Sequence, residues 1–161
     1  SVRTPMQWSD NRNSGFSTAD PDDLFTPVVR RGEFSYERVN VAAQRGDPDS
    51  LLSRVRRLVD ARRLCEEIST GAFSVVHAAP KEVWAHRLDE GRTTLLTVHS
   101  TASEPREVTV AFDAPAGATT KVVGPADYEV SEGRCTVRLD ACGYAWIRGD
   151  RRGERVPLGK P

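Results

Sequence analysis

Residues 72–100, AFSVVHAAPKEVWAHRLDEGRTTLLTVHS, decide the fold of this chain. The runs AFSVVHA, EVWAHRL and TTLLTVHS are rich in Val, Thr and aromatic residues, which suit a pleated, half-buried surface. Between the last two lies DEGR, a turn signal of the kind that closes a hairpin. The same texture continues in REVTVAF at 106–112, TKVVG at 120–124, RCTVRLD at 134–140 and GYAWIRG at 143–149, with SEGR at 131–134 as a second turn signal. No helical period interrupts these runs. Six to eight closely spaced strands predict an antiparallel, Greek-key-like β-sandwich over residues 71–149, so the chain is mainly β. Trp84 and Trp146 are expected in its core, each ring nitrogen meeting a partner or water. An exposed aromatic platform for carbohydrate is the alternative reading of the two rings.

Upstream, the period changes. In GDPDSLLSRVRRLVDARRLCEEISTG, residues 46–71, the apolar positions Leu51, Leu52, Val55, Leu58, Val59, Leu64, Cys65 and Ile68 recur at steps of three and four. They predict one amphipathic α-helix over 49–69, capped by Asp47 or Asp49 and stopped at Gly71. Its other face carries Arg54, Arg56, Arg57, Arg62 and Arg63. Asp60, Glu66 and Glu67 interrupt that basic stripe and no aromatic residues alternate with it, which fits a solvated face or one paired with a neighbour's carboxylates better than a nucleic-acid groove. A lone amphipathic helix must also bury its apolar stripe against something, either the β domain or a further domain.

Residues 1–48 read as a long loop opening with SVRTPMQWSDNRNSGFSTADP, in which Trp8 and Phe16 stand among turn-forming polar residues. Long loops with little structure of their own line sites or join domains. Pro5 stiffens it, Gly15 serves a turn, and Asn40 caps a short turn before the helix. Asp10, Asp20, Asp22, Asp23, Asp47 and Asp49 are accounted for by turns and caps without any chemistry. The last stretch, 150–161, gains Gly, Pro and charge and is expected to be a flexible tail.

Composition narrows the function classes. The 161 residues are 38% hydrophobic and 29% charged, typical of a globular chain, and carry no formal net charge, which argues against nucleic acid and anionic membranes as partners. No apolar run approaches the ~20 residues of a membrane span, and a cytoplasmic location is expected. Cys65, Cys135 and Cys142 are too few for a disulfide framework, and His77, His86 and His99 lack ligand spacing, so neither a metal site nor a cofactor is expected.

The pairing of RTPMQWSDNRNSGFS with VNVAAQRGDPDSLLSRVRRLVDARR closely resembles the late part of the catalytic domain of glycoside hydrolase family 13, in the branch of trehalose synthases and oligo-1,6-glucosidases. The resemblance holds residue by residue over 3–63 and in architecture over 71–149, where GYAWIR is similar to the family's closing aromatic strand. It implies that 1–48 is the loop after the last strand of a (β/α)8 barrel, 49–69 the last barrel helix, and 71–149 the C-terminal β domain. It implies retaining chemistry on α-glucosides such as maltose, with a carboxylate nucleophile and a second carboxylate as acid and base. Those carboxylates belong to barrel strands upstream of this loop, so no catalytic residue is assigned and the chain alone is expected to be inactive. The resemblance puts Arg3, Gln7, Trp8 and Phe16 at the catalytic face. Either they serve the sugar site, Arg3 pairing with a carboxylate near the sugar and Trp8 walling the pocket, or Trp8 and Phe16 pin the loop to the barrel and Arg3 bonds to backbone carbonyls. The implied partner is a barrel domain; the other reading is a stand-alone β module that binds carbohydrate or protein.

Overall fold

The computed structural model describes residues 3–78 and 80–151. They divide into two compact units, Ser1–Arg57 and Leu58–Pro161, with the boundary inside a helix. From residue 152 onward, the expected tail lies outside the described residues.

The second unit is built from β1 (Ala72–Val76), β2 (Val83–Glu90), β3 (Thr93–Ser100), β4 (Arg106–Ala111), β5 (Thr119–Val123), β6 (Asp127–Ser131), β7 (Arg134–Leu139) and β8 (Tyr144–Asp150). Five strands pair in the order β1-β2-β3-β8-β5 and three in the order β4-β7-β6. Every pairing is antiparallel. The chain changes sheet between β3 and β4, β4 and β5, β5 and β6, and β7 and β8, giving the expected sandwich. The β6–β7 hairpin turns at Glu132 and Gly133, both left-handed at φ 51 and 73, the backbone a two-residue type I′ turn demands.

Alternating residues of both sheets meet in one core. Leu96, Val98, Val108, Val110, Phe112, Val137 and Ile147 are among its fully or almost fully buried members. On β2 the inward positions are Val83 and Ala85, which sends Trp84 outward, 58% exposed. The expectation that Trp84 fills the core is therefore wrong: strand alternation leaves one face for it, and the small residues took the inside. Trp146 is half-buried on β8, and its Nε1 is buried without a hydrogen-bond partner among the described residues.

The helix expected over 49–69 is shorter. α1 spans Val41–Gly46, α2 spans Leu51–Arg63, and a short α3 follows at Glu67–Thr70. Ser50 caps α2, its Oγ accepting from the Ser53 amide at 3.2 Å, in place of Asp47 or Asp49. Asp47 instead accepts from the Asp49 amide at 2.8 Å in a local turn. After Arg63 the backbone tightens, with Leu64 and Cys65 bonding three residues back to Ala61 and Arg62. That break lets Cys65 and Glu67 bury, and the Arg148 Nε of β8 donates to Glu67 Oε1 at 2.6 Å. α3 packs on β2 and β3 at that point. On the apolar stripe of α2, Leu51, Leu52, Val55 and Val59 are all exposed, so of the two expected covers the β domain does not bury them.

The first unit has almost no apolar core. Val28 is its one buried hydrophobic among the described residues, whereas Asn13, Ser14, Ser35, Asn40 and Ser50 are buried polar ones. Asn40 caps α1 through Oδ1, which accepts from the Ala43 amide at 2.8 Å, so the short turn expected after it is a helix.

Candidate functional site

The opening loop is shaped by hydrogen bonds. Asn13 and Ser14 sit in the left-handed region at φ 54 and 56, and Gly15 continues at φ 68. Such a backbone costs a β-carbon-bearing residue of order 1–2 kcal/mol, less for Asn. It is held by side chains: Asn13 Nδ2 donates to the Ser17 and Ala19 carbonyls at 3.1 and 2.8 Å. The reversal brings the Ser14 carbonyl to the amides of Trp8 and Ser9 at 2.9 and 3.0 Å. Phe16 is thereby turned back toward the RTPM run.

An open pocket of about 600 Å³ results, lined by Arg3, Pro5, Met6, Phe16, Leu24 and Phe25 among others. Its walls are mostly apolar and, among the described residues, Arg3 is the charged group and no carboxylate lines it. A guanidinium beside flat apolar surface suits binding and orientation of a polyol or its carboxylate neighbour. Asp20 faces elsewhere: it accepts from the Asp22 amide at 3.2 Å and pairs with Arg12 at 3.2 Å on the exposed surface.

Of the four residues singled out in the sequence, Arg3 and Phe16 share this pocket. Gln7 belongs to the loop's own framework. Its Nε2 donates to the Val39 carbonyl, its backbone carbonyl accepts from the Val41 amide at 2.9 Å, and it lines a separate pocket with Asn40 and Gln44. Trp8 is about half exposed. Sequence reading missed Leu24 and Phe25; the signal was two adjacent bulky apolar residues in an otherwise polar loop, after the PDD turn.

Residues 1–71 match the alpha-amylase family, described as "Alpha amylase, catalytic domain". This first part of the chain belongs to glycoside hydrolase family 13. Within the family, the chain is 36% identical over 151 residues to the trehalose synthase of Thermus thermophilus, covering 89% of this chain and 15% of that protein. The trehalose synthase of Pimelobacter sp. (strain R48) is 30% identical over 153 residues, covering 91% of this chain and 27% of the relative. Among solved structures, the trehalulose synthase MutB superposes with a TM-score of 0.64 at 27% identity, over 91% of this chain and 25% of that one. The chain thus spans about a quarter or less of the length of these relatives.

Proposed function

We propose that this chain is the C-terminal part of a retaining α-glucoside-active enzyme of trehalose synthase type, converting maltose to trehalose or hydrolysing α-glucosides, and that it supplies structure and a pocket edge but no catalytic carboxylate. The observation that carries this reading is the 36% identity to a trehalose synthase running through both units of the chain. The carboxylate-free pocket around Arg3 and Phe16 is consistent with it. In this reading, Arg3 and Phe16 edge the sugar site, Gln7 holds the loop, and the uncovered stripe of α2 packs in a barrel. The chemistry then runs between two carboxylates of that barrel in a water-excluding pocket. Three free thiols suit a reducing cytoplasm.

The purified chain is to be incubated with maltose, sucrose and a nitrophenyl α-glucoside. The expected result is no turnover. Turnover that survives stringent purification overturns the claim that the chain lacks the catalytic groups.

A further inference from the structure

The short helix α1 is tied at both ends to segments outside itself. At its N-terminal end the Val41 and Ala42 amides donate to the backbone carbonyls of Gln7 and Trp8 at 2.9 and 3.0 Å. The RTPMQW run thus supplies acceptors that the first turn of a helix lacks. Asn40 completes this anchor: its Oδ1 accepts from the Ala43 amide at 2.8 Å, its Nδ2 donates to the Tyr36 carbonyl at 2.9 Å, and it is buried. Beside it the Gln7 side chain donates to the Val39 carbonyl.

At the other end the partner is α2. Gln44 Oε1 accepts from the Leu52 amide at 3.0 Å, and the Gln44 carbonyl accepts from Ser50 Oγ at 2.7 Å. The Asp47 carbonyl accepts from Ser53 Oγ at 2.8 Å. Polar atoms at the end of α1 therefore serve the first turn of α2, whose leading amides have no acceptor within their own helix. Six residues are too few to hold a helix in water, so the order of α1 comes from these two anchors.

The run Thr4–Met6 borders two pockets. One is the 600 Å³ pocket that contains Arg3 and Phe16; the other, of about 270 Å³, is closed by Val39, Asn40, Val41 and Gln44. Val28 is the one buried hydrophobic of this unit among the described residues, so hydrogen bonds rather than apolar packing set where the run lies.

We propose that α1 is a strut that fixes the edge of the sugar site from α2, with Asn40 and Gln44 as its positioning residues. Neither lines the pocket that holds Arg3; both act on it through the RTPMQW run. The proposal rests on the reading of Arg3 as an edge of that site. A guanidinium fork binds through two aligned N–H groups, and a displacement of about 1 Å in a positioned group costs up to about a hundredfold in rate.

The test uses the whole chain joined to the preceding region of the Thermus thermophilus trehalose synthase, read in two ways. Hydrogen exchange follows the Val41 and Ala42 amides, at the anchor away from Gln44. Gln44→Leu is expected to speed their exchange about fivefold, the equivalent of one lost hydrogen bond. Gln44→Glu, which keeps the Oε1 acceptor, is expected to leave it unchanged. Turnover of maltose follows Arg3. Gln44→Leu is expected to lower kcat/KM about tenfold with Arg3 in place, but less than about twofold on an Arg3→Lys background, whose flexible ammonium needs no fixed approach. Asn40→Ala is expected to behave like Gln44→Leu, and Asn40→Asp, which keeps the cap on Ala43, to stay near the parent.

Unchanged exchange at Val41 and Ala42 in Gln44→Leu overturns the strut. So does an equal loss of kcat/KM on both backgrounds, which makes Asn40 and Gln44 structural and nothing more. If the joined protein converts maltose and gives either result, the positioning proposal fails and the functional reading stands. If it leaves maltose and other α-glucosides untouched, the functional reading fails, and the exchange at Val41 and Ala42 decides whether α1 couples α2 to the RTPMQW run.

Discussion

Phe25 and Phe112 are the same residue at opposite extremes. Phe25, in the first unit, is fully exposed, and Phe112, in the second, is fully buried. The contrast extends to the units they belong to. Residues 58–151 close a contiguous apolar core between two sheets, while residues 3–57 bury Val28 and a set of amides and hydroxyls. Hydrogen bonds exchanged with water stabilise by about 1 kcal/mol each, less than the entropy lost in ordering the residues that make them. The sandwich therefore has its own driving force for folding, and the opening loop is a shape awaiting a surface.

The most forceful way to sharpen this contrast is to truncate both phenylalanines. Phe112→Ala is expected to cost about 3–5 kcal/mol of unfolding free energy. Phe25→Ala is expected to leave the urea transition where it was. An equal loss from both would erase the distinction between the units.

A second test strikes the buried pair. Arg148→Met leaves the Glu67 carboxylate buried without its cation, with an expected cost of about 3 kcal/mol or more in the same urea assay. The double change Arg148→Met with Glu67→Met is expected to recover most of it, because a well-packed apolar pair replaces two desolvated charges.

The third test is pH, since every Cys and His of the chain lies beyond residue 57. Burial pushes the Cys65 thiol up to about 11, helped by the Glu67 charge, and the Cys135 thiol up to about 12. Their folded-state values lie above the unfolded 9.0, so the stability they contribute is complete below pH 9 and is lost as pH climbs toward 11 and 12. Burial holds the His86 and His99 imidazoles below the usual 6.5, and His86 adds to the effect on His99. Their contribution is therefore present above pH 6.5 and is lost as pH falls below it. Chemical unfolding across pH is expected to give a plateau with losses at both ends; flat behaviour would show that neither the two thiols nor the two imidazoles tie the sandwich's stability to pH.

The smallest expected effect is in the loop. Asn13→Ala deletes the bonds to Ser17 and Ala19 and leaves a left-handed residue unsupported. A local loss of about 1 kcal/mol is expected. Limited proteolysis within residues 3–48 should quicken, with the sandwich unfolding as before. Even without the substitution, these residues are expected to be cut before the sandwich, and equal protection would contradict the contrast between the two units.

The strands were legible because their runs are rich in Val, Thr and aromatic residues between turn signals, and burial at β4 and β7 alternates plainly with period two. β6 was not, because DYEVS buries only Val130 fully and carries two acids. Trp84 shows the limit of the same signal. Alternation says that Trp84 and His86 share a face and Val83 and Ala85 the other, but not which face is covered; bulk favoured the aromatics, and the packing of the opposite sheet chose the small residues. The end of α2 was hidden for a different reason. The residues after its stop are buried, Glu67 against Arg148, a partner 81 positions away, whereas helical periodicity reads only neighbours. At the candidate site, the wording of the loop pointed to Arg3, Gln7, Trp8 and Phe16, but only the fold separated the pocket pair Arg3 and Phe16 from Gln7, whose side chain is spent on Val39.

The Glu67–Arg148 pair has a consequence for anyone exchanging C-terminal domains between enzymes of this family. Gly71, at the foot of β1, looks like the natural splice point, yet a cut there parts a buried carboxylate from the guanidinium that neutralises it. A graft that begins before Cys65 keeps both halves of the pair from one parent, so the module to be shuffled starts within the helical segment rather than at the first strand.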